Sequence, residues 1–292
     1  MFFKTMQKGS KMVRFGPAGN DEKFYEDGHK KTIEAAKWLK DMGLTAYEYS
    51  FGRGISLNDD TAAAIGEEFK KYDIAFSIHA PYYINFATPT DEMAENSYNY
   101  VLRSLEKLRK AGGNRLVVHP ASCGKMSREE ALALTMKRLT ILKDKLIQNG
   151  FSDMYICLET MGKHAQIGTY QEVVEMCKIY DHYMPTFDFG HINAFTNGGI
   201  KTKEDYAKIL DCAIQLGEFR GKHFHVHFSK IEYTEKGGEV KHLTMADEVY
   251  GPEFEPFAQL CKERGLEPVV ICESRGCMAT DAAIMKDIYD KA

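Results

Sequence analysis

Short β-rich blocks alternate with longer amphipathic stretches from one end of this chain to the other, and this alternation limits its fold more than any other property. The blocks at 12–15, 45–49, 74–79, 115–119, 154–159, 184–188, 222–228 and 268–273 predict eight strands. Between them, stretches such as 29–42, 92–111, 127–149 and 203–216 carry apolar residues at three- and four-residue spacing, the period of a helix with one buried face. Several end on a glycine, as at Gly43 and Gly265, where a helix closes with positive φ at little steric cost. Parallel strands need such crossover helices, so the pattern is one of βα units around a parallel sheet. Eight units favour a closed (β/α)8 TIM barrel, of class α/β, over an open doubly wound sheet. The Gly-x-Gly-x-x-Gly fingerprint of the open alternative does not follow the first strand.

The 292 residues contain no Pro-rich linker or break in composition, so 1–292 is expected to form a single domain. One irregular stretch, 229–241, contains a Glu-Lys-Gly-Gly-Glu turn and predicts a hairpin projecting after strand seven. No apolar run approaches the roughly 20 residues of a membrane-spanning helix. Residues 1–17 lack an apolar core and a small-residue cleavage site, which reads as no secretion signal. Seven cysteines, an odd number without a Cys-x-x-Cys pair, read as reduced core thiols of a cytoplasmic protein. A monomer is expected. The formal net charge of -4 gives the whole chain no electrostatic footprint for nucleic acid, although bound divalent cations would reverse the sign locally.

Active sites of barrel enzymes sit at the C-terminal ends of the strands, and here six predicted strands carry a metal-ligand residue at that end. Strand three closes on His79 in SIHAPYYIN, strand four on His119 in LVVHPAS and strand five on Glu159 in ICLETMG. Strand six closes on Asp188, followed by His191, in TFDFGHINA, and strand eight on Glu273 in VVICESRG. Strand seven carries HFHVHFSK, whose His223, His225 and His227 share one face by strand alternation, the last two near the rim. His223 lies deeper and is expected to be a hydrogen-bonded core residue. His242 follows the predicted hairpin and is a ligand candidate if that segment folds back over the mouth. His29, His164 and His182 are expected to be ordinary helix-end or loop histidines.

A single such residue is more often solvated or satisfied by a hydrogen bond than a ligand. Six in succession at one end would crowd imidazoles and carboxylates into a small volume, where unpaired charge is costly and a bound cation relieves the cost. Imidazole with carboxylate and no thiolate suits Zn2+, Mn2+ or Fe2+, zinc foremost, rather than Ca2+ or Mg2+. The donors exceed what one ion can use, so two or three ions are expected.

Across nearly the whole chain, and most specifically in HAPYYIN, VVHPAS, the E-T-x-G segment, FDFGH and CES, the sequence resembles the endonuclease IV family of zinc-dependent apurinic/apyrimidinic endonucleases. The resemblance implies zinc ligands at His79, His119, Glu159, Asp188, His191 and Glu273, with Glu159 and Glu273 at the catalytic centre. HVHFSK resembles the family's H-x-N-D-[SA]-K, and matching Lys230 places that ligand at His225, with His227 standing for an Asn. The family's D-x-H reads Val240-Lys241-His242 here, so the Asp of the third zinc site is absent, and His227 or Glu239 is expected to replace it. The nucleotide-wedging tyrosine matches Tyr82. The family's basic DNA-contacting segment after strand two is replaced by EYSFGRGISL, leaving Arg53 to approach a phosphate. The implied activity is cleavage of double-stranded DNA 5′ to an abasic site, leaving a 3′-hydroxyl and a 5′-deoxyribose phosphate.

A second reading is a sugar isomerase or epimerase of the xylose isomerase-like barrel superfamily, whose single Mn2+ or Co2+ site resembles Glu159, Asp188, His225 and Glu273 alone. The pair His79 and His119, with His242, favours the nuclease. The acidic net charge and the missing basic loop favour the isomerase.

Overall fold

A computed structural model describes residues 13–292 of the chain. The N-terminal stretch, including Met12 at the start of the first predicted strand, lies outside the described residues. Eight parallel strands are present: β1 Arg14–Pro17, β2 Ala46–Ser50, β3 Ala75–His79, β4 Arg115–Val118, β5 Tyr155–Glu159, β6 Tyr183–Asp188, β7 His225–Phe228 and β8 Val269–Cys272. They pair in ring order β1, β8, β7, β6, β5, β4, β3, β2. At the seam, Thr45 N–H donates to the Phe15 carbonyl at 2.9 Å, so β1 meets β2 and the barrel is nearly closed. Gly16 makes that approach possible, since a Cβ there would lie 1.7 Å from the Ala46 carbonyl oxygen.

Strand alternation sorts the side chains into two layers. Ile78, Leu116, Val118, Ile156, Leu158, Phe187, Val226 and Val270 belong to the large core between sheet and helices. Their neighbours Val117, Cys157 and Met184 form a separate small apolar cluster inside the barrel. Along the same inward phase, toward the C-terminal ends, the buried residues turn polar: Glu48, Ser77, His79, Glu159, Thr186, Asp188, His225 and His227. The outer helices begin where their sequences supply caps, as at Ser127 with Glu130 and Thr169 with Glu172, which form capping boxes.

Several boundaries differ from those expected. The block 222–228 contributes a strand only from His225, because Glu218–Lys222 forms a short helix. The helix expected over 29–42 begins at Ala35, after a 3-10 turn at Thr32–Glu34, and His29 instead stacks on Phe24 with ring centroids 5.0 Å apart. The hairpin comprises Lys230–Thr234 and Gly238–Leu243, so His242 lies within it rather than beyond it. Among the described residues, no helix is long and apolar enough to cross a membrane.

Candidate metal centre

The inward polar layer converges on Glu159, the last residue of β5, which is fully buried. Its Oε2 lies 3.1 Å from Nε2 of both His79 and His119. Its Oε1 lies 3.2 Å from His227 Nδ1 and 3.3 Å from His191 Nδ1. One carboxylate thus faces His79 and His119 with one oxygen and His227 with the other, as a bridging ligand would, whereas His191 Nδ1 lies 3.0 Å from the Thr160 carbonyl and so directs its Nε2 toward Glu239. His79 Nδ1 lies 2.8 Å from the Ala80 carbonyl, an acceptor, so the proton belongs on Nδ1 and the lone pair of Nε2 points at the cluster.

Asp188 closes β6 and caps the short helix Phe189–Phe195: its Oδ1 accepts from the His191 backbone N–H at 2.6 Å. That bond orients the residue and leaves Oδ2, buried and without a hydrogen-bond partner, facing the cluster. His227 Nδ1 is 3.3 Å from Glu273 Oε1, one residue past β8. Among the described residues three donor groups lie at the mouth, each with its atoms within 4.8 Å of one another: His79, His119 and Glu159; Glu159, Asp188, His227 and Glu273; and His191, Glu239 and His242; a fourth, Glu48, His225 and His227, lies deeper.

The third group depends on an irregularity in the hairpin. Residues 239 and 242 are an odd number of positions apart and in a regular strand would face opposite ways. Here Glu232 pairs with Lys241 and Tyr233 with Glu239, leaving Val240 unopposed in a β-bulge. The bulge restores the phase, so Glu239 Oε2 comes within 3.5 Å of His191 Nε2 while Val240 is exposed. Glu239 is further fixed by its backbone N–H, which donates to the Gly162 carbonyl at 3.0 Å in the loop after β5. Gly162 has no room for a side chain, because a Cβ would lie 2.8 Å from Glu239 Cβ and 2.9 Å from His191 Cδ2.

Electrostatics follow from burial and alternating charge. Burial pushes Asp188 up to about 6. Burial would also raise Glu159, but His227 and His119 beside it hold it well below the usual carboxylate range. The reverse holds for His191 and His227: burial opposes their protonation, yet surrounding carboxylates, Asp188 for the first and Glu273 for the second, raise them well above an ordinary histidine. A set of buried nitrogen and oxygen donors without sulfur, with Asp188 Oδ2 making no hydrogen bond and only a 3.3 Å charge contact with His191 Nδ1, fits a divalent cation of the zinc or manganese type.

The mouth above these groups holds a cavity of about 320 Å3 lined by His79, Tyr82, His119, Glu159, Lys163 and Glu239, among others. Tyr82 is 56% exposed, stacks on His119 at 5.5 Å and meets His79 edge-on at 5.3 Å. Arg53 is exposed in the loop after β2 and does not line this cavity.

On β7, His227 and not His225 lies beside Glu159 and Glu273. His225 sits one inward position lower, fully buried, with Nε2 3.0 Å from Glu48 Oε2. Sequence reading passes over Glu48. Its one signal is that it is the only charged residue in the block 45–49, in the inward phase between Tyr47 and Tyr49. The remaining histidines lie away from these groups. His223 faces Glu267 at 3.7 Å, His182 stacks on Tyr155, and His164 contacts the carbonyls of Lys236 and Phe195, joining its loop to the hairpin.

An uncharacterized protein of Methanocaldococcus jannaschii is 31% identical over 283 residues, 96% of this chain and 98% of that one. A probable endonuclease 4 of Acholeplasma laidlawii is 33% identical over 180 residues, 53% of this chain and 59% of that one. Among solved structures, endonuclease IV from Thermus thermophilus superposes with a TM-score of 0.70 at 18% identity, covering 96% of this chain and 100% of that chain. A D-tagatose 3-epimerase-like protein does so with a TM-score of 0.69 at 20% identity, covering 96% of each. The model of the xylose isomerase-like TIM barrel family matches residues 36–288, and the chain belongs to that family.

Proposed function

We propose that this protein is a metal-dependent phosphodiester hydrolase, an apurinic/apyrimidinic endonuclease that cleaves double-stranded DNA 5′ to abasic sites. The observation that carries the reading is the convergence of three donor groups around the mouth, two of them sharing Glu159. A single-ion isomerase site uses only Glu159, Asp188, His227 and Glu273; the pair His79 and His119 and the set His191, Glu239 and His242 are surplus to it. The partial sequence likeness to an endonuclease 4 supports the same reading.

Two or three zinc ions, with manganese as the alternative, would be held by these three groups and, when bound, supply an activated water at neutral pH and positive charge for the phosphate. The protein's own groups do the rest. Glu159 joins two donor sets through one carboxylate. Glu273, partly exposed at the mouth, is placed to accept a proton from the attacking water at Oε2. Lys163 is the one lysine lining the cavity and offers its ammonium to a phosphate oxygen. Tyr82 presents an aromatic face where a base is missing from the stack, and Arg53 lies on the loop whose Gly52 carbonyl accepts from the Tyr82 backbone N–H.

The structural likeness to an epimerase-like protein and the net charge of -4 favour the second reading, a single-ion sugar epimerase. Elemental analysis of protein purified without added metal separates the two. The nuclease reading expects two or three zinc ions per chain, about one fewer in a His79→Ala, His119→Ala double variant, and incision 5′ to an abasic site in a duplex. A single manganese or cobalt ion, unchanged in the double variant, together with ketose epimerisation, would overturn it.

A further inference from the structure

Below the three donor groups lies a layer of buried polar side chains that hydrolysis does not use. We propose that Glu48 is a positioning residue for the β7 ligand: its carboxylate accepts the Nε2 proton of His227 and so keeps the Nδ1 lone pair directed at the metal centre. The proposal rests on Glu159, Asp188, His227 and Glu273 binding an ion.

Glu48 is fully buried on the inward face of β2. Its Oε2 accepts from Ser77 Oγ–H at 2.8 Å and faces His225 Nε2 at 3.0 Å. Its Oε1 lies 2.8 Å from His227 Nε2. The opposite edge of the same imidazole faces the mouth, with Nδ1 3.2 Å from Glu159 Oε1 and 3.3 Å from Glu273 Oε1. A neutral imidazole has one lone pair for a metal and one N–H. The carboxylates that share an ion with His227 gather at Nδ1, so Nδ1 is the ligand and the proton stays on Nε2.

A buried N–H needs an acceptor, and the structure offers that nitrogen only Glu48 Oε1. The contact, at 2.8 Å, is too bent from the N–H axis to be a formed hydrogen bond, and neither atom has a hydrogen-bond partner elsewhere, so a small rotation of the carboxylate or the ring completes the one bond open to both. A carboxylate behind a ligating histidine fixes its tautomer and ring orientation and raises its basicity. His225 and Ser77 do the same for Glu48, holding the anion where β2 faces β7 across the barrel.

The same three residues, Glu48, His225 and His227, also converge within 4.8 Å, as the donors of a separate ion site would. All three are fully buried, and an ion there would take the Nε2 that must keep its proton. A proton fills the position without stripping His227 of both hydrogens.

The test compares wild type with Glu48→Gln, which is isosteric, and Glu48→Leu, which removes the acceptor. Zinc affinity is read by chelator competition and the His227 tautomer by 15N NMR of the zinc-loaded chain, with circular dichroism confirming the fold. Glu48→Leu is expected to weaken one ion by about 10- to 100-fold, leave the His79 and His119 ion unchanged, and lose the Nε2–H signature of His227; Glu48→Gln falls between. If Glu48→Leu does not fold, Glu48→Gln alone decides. Unchanged affinity and tautomer in a folded variant overturn the role of Glu48 while leaving the metal centre standing. An additional wild-type ion lost in both Glu48→Leu and His225→Phe makes the layer an ion site and overturns it as well. A wild type that binds no ion overturns the centre itself, and the proposal with it.

Discussion

His191 and His227 show how a site can be charged before any ion arrives. Both are raised well above an ordinary histidine, because the carboxylates around them outweigh the burial that opposes protonation. The favourable contribution of these protons to the metal-free fold is complete below the unfolded histidine value of about 6.5 and is lost as pH rises through the folded values. A divalent ion must displace them, so zinc affinity is expected to rise with pH and binding to release protons. Calorimetry at pH 7 in two buffers of different ionisation enthalpy measures that release; equal heats in both would contradict it. The histidines themselves were legible in the sequence because each lies in or just after an apolar strand block, His227 within β7 and His191 three residues past Asp188. Glu48 was not, because a carboxylate inside a strand reads as solvent-facing until the ring order places it opposite β7. The choice between His225 and His227 also needed three dimensions: alternation puts both on one face, and only depth along the barrel separates them.

At the scale of elements, the hairpin after β7 decides whether a third ion has a seat. Its two contributions, Glu239 and His242, face the mouth together only because Val240 bulges out. Inserting one residue between Glu232 and Tyr233 gives Val240 a partner, restores simple alternation over 239–242 and turns one of the two away. The expected outcome is loss of the ion at His191, Glu239 and His242 with the others retained, read as about one zinc fewer per chain by elemental analysis; an unchanged count would refute the role of the bulge. The hairpin's turn was legible from its glycines, whereas its extent was not. The second strand continues through His242 to Leu243 by pairing with Ile231 and Lys230, contacts that no local pattern announces.

The whole barrel was the most legible feature, since the eightfold alternation that predicts it needs no long-range information. What the pattern does not contain is how the ring closes. The seam passes Gly16 over Ala46, with no space for a Cβ. Gly16→Val is expected to cost at least about 1–3 kcal/mol by overpacking, measurable by denaturant unfolding, with no direct contact to the donor groups. Unchanged stability would mean that the seam yields easily.

The donors come from the ends of β3, β4, β5, β6, β7 and β8, so an ion held by them is also a tie around three quarters of the circumference. This chain has seven unpaired thiols and no disulfide, so such ties would add to backbone pairing and side-chain hydrogen bonds the strong cross-links between strands that cysteines do not supply. Each would lock the mouth of the barrel much as a clasp locks a hoop. Stripping the ions with a chelator is then expected to lower Tm and to expose the loops at the mouth to protease first. The lost stabilisation would be about 4 kcal/mol for an ion previously present at a thousand times its Kd. A melting curve indifferent to chelation would show that the hoop holds without its clasp.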